Sequence, residues 1–258
     1  DGDGIEIQIN IFEGTKELVE RIDIIGNTIT NEEVIRAELE LDEGEPFNNL
    51  KLSQSINNLK ARDIFGNVSQ VVKDGSSSDL KTIDITVEEK PTGEISAGAG
   101  IGTNGPSVAF AIAENNWMGE GITLSTYLDL SKETLKGSIN LTNPNYKYSG
   151  NALNLHVDST SNDKPKAGYE NSLITAGIGT TFEQYRNIFL SPSIEFSYDN
   201  LKVLSSASPA LKKQAGSFTE MAFAYRISLD ERDKRFMPTE GYLSAFKQAI
   251  PIVSDSPY

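Results

Sequence analysis

Side chains able to do chemistry are few in this chain and poorly grouped. His156 is the single histidine among 258 residues, and cysteine is absent, which excludes disulfides and thiolate-ligated metals. In Leu153-Asn-Leu-His-Val-Asp158 the histidine shares the polar side of the alternation with Asn154 and Asp158. No further ligands for a metal are recognisable, so His156 reads as a polar residue facing a wet interior. Asp230, Glu231 and Asp233 have the types needed for paired carboxylates in proton transfer. Arg232, Lys234 and Arg235 interleave with them, so mutual neutralisation in a turn is the expected role. Gly98, Gly100 and Gly102 match a phosphate-cradling loop in composition only, because no helix follows to aim its N-terminus at an anion. No nucleophile elbow, Walker or zinc spacing occurs. The expectation is no catalytic residue, no metal and no cofactor.

What would position these residues is a series of strands. Gly121-Ile-Thr-Leu-Ser-Thr-Tyr-Leu-Asp-Leu130 sends Ile122, Leu124, Leu128 and Leu130 one way and Thr123, Ser125 and Asp129 the other. That is the period of a strand with one greasy and one wet face. The pattern returns at 135–141, 153–158, 188–198 and 221–230. Many such strands with no helix between them predict an all-β sandwich or an up-and-down barrel.

Charge is unevenly placed. Of a net −14, residues 1–91 carry 20 acidic and 9 basic side chains, and residues 92–258 carry 17 and 14. An acidic module followed by a nearly neutral one argues against nucleic acid as a partner. It also argues against docking on anionic lipid through a polybasic patch. Only 38% of residues are hydrophobic, and no run of about 18 apolar residues could form a membrane helix. A membrane-spanning strand needs only about 10 alternating residues, so a barrel stays open. The chain opens on Asp1-Gly-Asp-Gly with no signal-peptide pattern, so a targeting sequence is expected upstream.

The first third has a mixed grammar. Strands are expected at 5–12, 18–25, 68–72 and 80–87. Gly26-Asn27 supplies turn chemistry. Thr30 and Glu33 stand at capping-box spacing before a short helix carrying Val34, Ile35 and Leu39. A second helix is expected over 48–62, with Leu50, Leu52, Ile56 and Leu59 as its apolar stripe. Residues 18–89 thus read β-α-α-β-β. With Ile25-Gly-Asn27, Val34-Ile-Arg36, Gly44-Glu-Pro-Phe47 and Arg62-Asp-Ile-Phe65, this stretch resembles a POTRA domain. The strand at 5–12 resembles the tail of a preceding repeat.

After Lys90-Pro91, nine strands are expected: 94–102, 107–114, 121–130, 134–142, 152–158, 171–180, 188–198, 217–230 and 241–250. Alternate connections hold Trp117, Tyr146, Tyr148, Phe182, Tyr185 and Phe236. The intervening ones include long polar loops at 159–166 and 201–216. In an antiparallel meander the two sets lie at opposite rims, as expected for a barrel with an aromatic girdle and longer external loops. A soluble sandwich would show this only by chance. Nine strands cannot close an up-and-down barrel, since the two end strands would meet parallel. Further strands are therefore expected beyond Tyr258.

Thr92-Gly-Glu-Ile-Ser-Ala-Gly-Ala-Gly-Ile-Gly102, Asn115-Asn-Trp-Met-Gly-Glu-Gly121, Leu141-Thr-Asn-Pro144 and Leu229-Asp-Glu-Arg-Asp-Lys-Arg-Phe-Met-Pro-Thr-Glu-Gly241 resemble the BamA family of outer-membrane protein insertases, in the family's order. The resemblance implies an α+β POTRA domain (15–91) after the tail of another (1–14). An antiparallel transmembrane β-barrel follows, incomplete at 92–258. It further implies an outer-membrane location with the POTRA domain in the periplasm. Implied partners are unfolded outer-membrane clients, periplasmic chaperones, accessory lipoproteins and outer-membrane lipid. Val68, Gln70 and Val72 would form a client-binding edge of the POTRA sheet, unless that edge merely stays solvated. Ile95, Gly98, Gly100 and Gly102 lie on the strand that serves this family as a lateral gate. Their glycines read equally as room for a tight interior. Arg232, Asp233, Arg235, Phe236, Pro238 and Gly241 form the rim signature. A POTRA-barrel translocator exporting a dedicated partner, or assembling autotransporters, is the rival reading. A passive porin would lack the POTRA module.

Overall fold

The computed structural model describes residues 16–102, 105–233 and 238–255. The strand expected at 5–12, the tail assigned to 1–14, and Arg235 and Phe236 lie outside the described residues. The chain divides into two compact units. One ends at Lys90, and the other starts at Pro91, with Ile29–Asn31 grouped into it.

In the first unit β1 (Leu18–Ile25), α1 (Glu32–Arg36), α2 (Asn49–Ala61), β2 (Phe65–Asp74) and β3 (Leu80–Glu89) follow in the expected order. The sheet runs β1-β3-β2, with β1 parallel to β3 and β2 antiparallel to it. Ile83, Ile85 and Val87 alternate inward from β3, while Leu52, Ile56 and Leu59 of α2 cover them with Val34 and Ile35 of α1. Removing this apolar surface from water is the main favourable term for the unit.

Two expected details shift. Helix α1 starts at Glu32, two residues after Thr30. Leu50 is 68% exposed; two residues from Leu52 it is rotated roughly 200° around the helix, off the buried stripe. Ser55 takes that buried place, its hydroxyl donating to the Lys51 carbonyl and accepting from the Glu40 N–H. Asn48 caps α2 by accepting from the N–H groups of Leu50 and Lys51.

The stretches behind the POTRA resemblance each have a physical task. Gly26 has φ +98°, and a Cβ there would sit 2.1 Å from the Val87 carbonyl oxygen, so only glycine fits. Gly44 to Phe47 runs along the outer side of β1: Val19 N–H donates to Glu45, Gly44 N–H to Val19, and Phe47 N–H to Glu17. Arg62, at the end of α2, pairs with Glu38 at 3.6 Å. Burial pushes the Glu38 carboxyl up and the Arg62 guanidinium down from their ordinary values, outweighing their mutual attraction.

The second unit is one antiparallel sheet of nine consecutive strands. They are β4 (Gly93–Gly102), β5 (Gly105–Trp117), β6 (Ile122–Ser131), β7 (Thr134–Asn143), β8 (Ala152–Lys164), β9 (Tyr169–Tyr185), β10 (Ile188–Val203), β11 (Gly216–Asp230) and β12 (Leu243–Ser254). Register confirms the two faces. Leu124, Leu141, Leu155, Ile178, Ile194 and Phe223 are successive partners across the sheet, and so are Ile139, Val157, Ala176 and Phe196. On β10 the apolar side runs from Ile188 to Tyr198, about 36 Å of strand, or roughly 25 Å of height at a barrel tilt of about 45°. That matches the apolar band of an outer-membrane barrel.

The opposite face is polar and stitched by side chains. One ladder runs Thr142–Asn154–Thr181–Ser191 and another Thr134–Asn162–Asn171–Asp199, each crossing β7 to β10.

The expected contrast in loop length does not hold. Strand β8 continues to Lys164, leaving 165–168 as a turn where a loop over 159–166 was expected. Trp117, Phe182 and Tyr185 lie in strands, with Arg186 and Asn187 alone joining β9 to β10. Beyond the apolar band both faces of a strand are wet, so alternation vanishes while backbone pairing continues. Of the two long polar loops expected, 204–215 alone remains, and it holds α3 (Pro209–Lys213), capped by the Ser208 hydroxyl. Trp117, Tyr146, Tyr148, Tyr185 and Tyr242 do gather, exposed, at the end where β4 begins.

Candidate functional site

Three places hold the expected site residues. The first is the POTRA sheet edge. Since 44–47 covers the outer side of β1, β2 is the sheet's remaining flank. Val68 turns its side chain into the core, so only its backbone is available there. Gln70, Val71 and Val72 are exposed.

The second is β4, the end strand of the large sheet, which pairs with β5 through Gly93↔Glu114 to Gly102↔Gly105. Ile95, Ala97, Ala99 and Ile101 share the apolar face. Gly98 and Gly100 lie on the other, opposite Ala109 and Ser107. A Cβ at Gly98 or Gly102 would meet nothing within 4 Å, and one at Gly100 only Ser107 Oγ at 3.9 Å. Neither crowding among the described residues nor a left-handed backbone demands glycine at these positions.

The third is the turn between β11 and β12. Arg232 grips both oxygens of Asp230 at 2.7 and 2.8 Å. Asp233 accepts from the backbone N–H groups of Thr239 and Glu240 and from the Thr239 hydroxyl. Gly241 has φ +87°, with its Cβ position 2.0 Å from the Glu231 carbonyl oxygen. Pro238 lies in the same turn. Asp230 is engaged by a cation, as the alternation suggested, while Asp233 is engaged by backbone N–H groups and a hydroxyl of its own turn.

His156 has a partner that sequence reasoning missed. Glu195 Oε2 lies 3.0 Å from its Nε2, with Asp158 at 4.0 Å. The two belong to β8 and β10 and meet across Gly177 of β9, their common register partner. A Cβ at Gly177 would fall 2.2 Å from His156 Cε1 and 2.6 Å from Glu195 Oε2. The missing signal was register: aligned strands would have shown His156, Gly177 and Glu195 as one rung. In the full-length protein, Gly177→Val should cost about 1–3 kcal/mol by overpacking. Gly137→Val, with nothing nearer than 3.9 Å, should be nearly neutral. Gel mobility of the folded barrel during heating reads both, and equal melting of the two variants would contradict the packing.

Residues 116–257 match the family model described as the Omp85 superfamily domain, and residues 18–90 match that of the surface antigen variable number repeat, the POTRA domain. The chain belongs to the Omp85 superfamily. Within it the likeness is to BamA proteins. The outer membrane protein assembly factor BamA of Neisseria meningitidis serogroup B is 28% identical over 181 residues, covering 67% of this chain and 23% of that protein. BamA of Buchnera aphidicola is 26% identical over 245 residues, covering 90% and 38%. The chain therefore spans less than two fifths of the length of either curated relative. Its fold is similar to the crystal structure of BamA from Haemophilus ducreyi lacking POTRA domains 1–3, with a TM-score of 0.74 at 17% identity over 93% of this chain and 49% of that one. CdiB from Escherichia coli is similar at a TM-score of 0.61 and 12% identity, covering 92% and 46%. This Omp85 chain is an outer-membrane protein with its POTRA domain in the periplasm.

Proposed function

We propose that the full-length protein folds β-barrel proteins into the outer membrane, with no catalytic step. Unfolded clients, handed over by periplasmic chaperones and accessory lipoproteins, add to the exposed edge of β2. Incoming strands are then templated on β4 acting as a lateral gate. Residues 15–91 form the client-receiving domain and 92–258 the first part of the barrel, bathed by outer-membrane lipid. The observation that carries this reading is that each sheet ends on a strand with an unpaired edge, β2 in the small sheet and β4 in the large one, and that no neighbour among the described residues demands the glycines of β4. Backbone pairing along an edge gives affinity without sequence selectivity, which suits a protein with many clients.

The β2 step is tested by proline. Adjacent strand residues aim their N–H groups to opposite sides, so of Gln70→Pro and Val71→Pro one removes an outward donor and the other a ladder bond. The variant that leaves the POTRA domain folded should crosslink to unfolded clients several-fold less than the parent. Unchanged crosslinking would place client contact elsewhere. A second reading is export of a dedicated partner, which the fold shared with CdiB allows. The number of POTRA repeats upstream of residue 15 separates the two, a short array favouring export.

A further inference from the structure

The lipid-facing side of the large sheet changes character toward the turns away from the periplasm. On β8 to β11 it continues past Tyr198, an exposed aromatic at the edge of the apolar band. The next rung is Ser161, Ser172, Asn200 and Ser217, successive register partners. The Ser217 hydroxyl donates to Asn200 Oδ1 at 3.1 Å. The rung after it is Asp163, Glu170 and Lys202, all exposed. On β6 and β7 the same side stays apolar up to Leu130 and Leu135, beside their turn. Leu135 is the register partner of Ser161, so the change from apolar to hydroxyl-bearing falls between β7 and β8.

Lysines crown these four strands. Lys166 lies in the 165–168 turn, Lys212 and Lys213 lie in α3, and the 204–215 loop has no acidic residue. Turn and loop are fastened together. The Leu204 N–H donates to the Gly168 carbonyl at 2.8 Å, and Ala207 is buried. Gly168 has φ +79°, and a Cβ there would fall 2.9 Å from the Ala207 nitrogen. Charge counted over residues 92–258 averages both ends of the sheet, which hides this grouping at one of them.

We propose that the outer wall of β8 to β11 holds the phosphorylated sugar headgroup of an outer-leaflet glycolipid. Continuity argues for a lipid, since the wall extends the face that lies against acyl chains. Depth argues for a sugar. Two residues advance about 7 Å along a strand, or about 5 Å in height at a tilt of about 45°, so the charged rung stands roughly 10 Å beyond Tyr198. A phospholipid headgroup layer is only about 5–7 Å deep. Chemistry argues for both parts of the headgroup. Serine, asparagine and carboxylate groups supply donors and acceptors for sugar hydroxyls. Asp163 and Glu170, directly opposite one another, suit hydroxyls and would repel a bare phosphate. The ammonium groups of Lys166, Lys202, Lys212 and Lys213 suit the phosphates. The proposal rests on the outer-membrane location and is independent of the insertase reading.

The test places the folded full-length protein in phosphatidylethanolamine nanodiscs with a diphosphorylated disaccharide lipid, and native mass spectrometry counts the lipid retained. The parent should keep the glycolipid against an equal amount of phosphatidylglycerol, and should keep its phosphate-free form several-fold less. Both of these arms use the parent alone. Lys166→Gln, Lys202→Gln, Lys212→Gln and Lys213→Gln combined should lower retention of the phosphorylated form several-fold. Ser172→Ala with Asn200→Ala should lower retention of both forms. Lys147→Gln, at the opposite end of the sheet, should change neither, and gel mobility reports that each barrel is folded. No retention by the parent, equal displacement by phosphatidylglycerol, or full retention by the folded four-lysine variant would each overturn the proposal.

Discussion

Replacing Ile139 by arginine is expected to destabilise the membrane-embedded barrel by about 2–4 kcal/mol, the cost of a cation facing lipid near the bilayer midplane. Ile139 sits near the centre of β7, is 55% exposed, and shares its face with Val157 and Phe196 through register. Asn140 is the next residue on the same strand and points to the polar face, beside Ser125 and His156. Asn140→Arg should therefore cost little, since a cation there keeps contact with water. The comparison isolates facing from depth, because the two positions differ by one residue. Equilibrium unfolding of the full-length protein in bilayers, for both variants, gives the answer. Equal costs at the two positions would mean that the alternation does not separate lipid from lumen.

Alternation was legible because each strand is greasy on one side and wet on the other over the height of a membrane. Ile188 to Tyr198 shows this plainly, and its facing was readable without coordinates. The ends of the strands were not readable. Ser159 to Lys164 are polar at every position, so they looked like a loop, yet they pair with β7 and β9. Backbone hydrogen bonding carries no sequence mark where both faces are solvated. The start of α1 was legible only to within two residues, since Thr, Asn and Glu at 30–33 offer overlapping start signals. The rim turn was legible in part, because alternating acids and cations predict a pair such as Asp230 with Arg232. Which carboxylate holds which group was not. Asp233 serves backbone N–H groups six and seven residues on, a geometry set by the turn itself. The His156–Glu195 pair depends on register between three strands, and register emerges only when all are placed together.

The sequence alone left two readings of the β4 glycines level, room for a tight interior or strand curvature and a first strand poised to unpair. Among the described residues, no neighbour lies within 4 Å of a Cβ placed at Gly98 or Gly102. Weak strand propensity is the property on which the proposed gate rests. Each glycine costs a regular element about 0.5–1 kcal/mol relative to alanine. Three of them favour opening by a few kcal/mol, and 1.4 kcal/mol is already about tenfold in an equilibrium.

The most direct test of this working edge locks it. In the full-length protein, a cysteine in place of Ser96 on β4 is paired with one at the facing position of the strand that closes on it. The oxidised protein, reconstituted in liposomes with an unfolded β-barrel client and its accessory proteins, should insert no client above the rate of empty liposomes, and reduction should restore the parent rate. Gly98→Val with Gly100→Val, which fills open space and stiffens the strand, should slow insertion about tenfold without the lock. Normal insertion by the disulfide-locked barrel would contradict β4 as the gate.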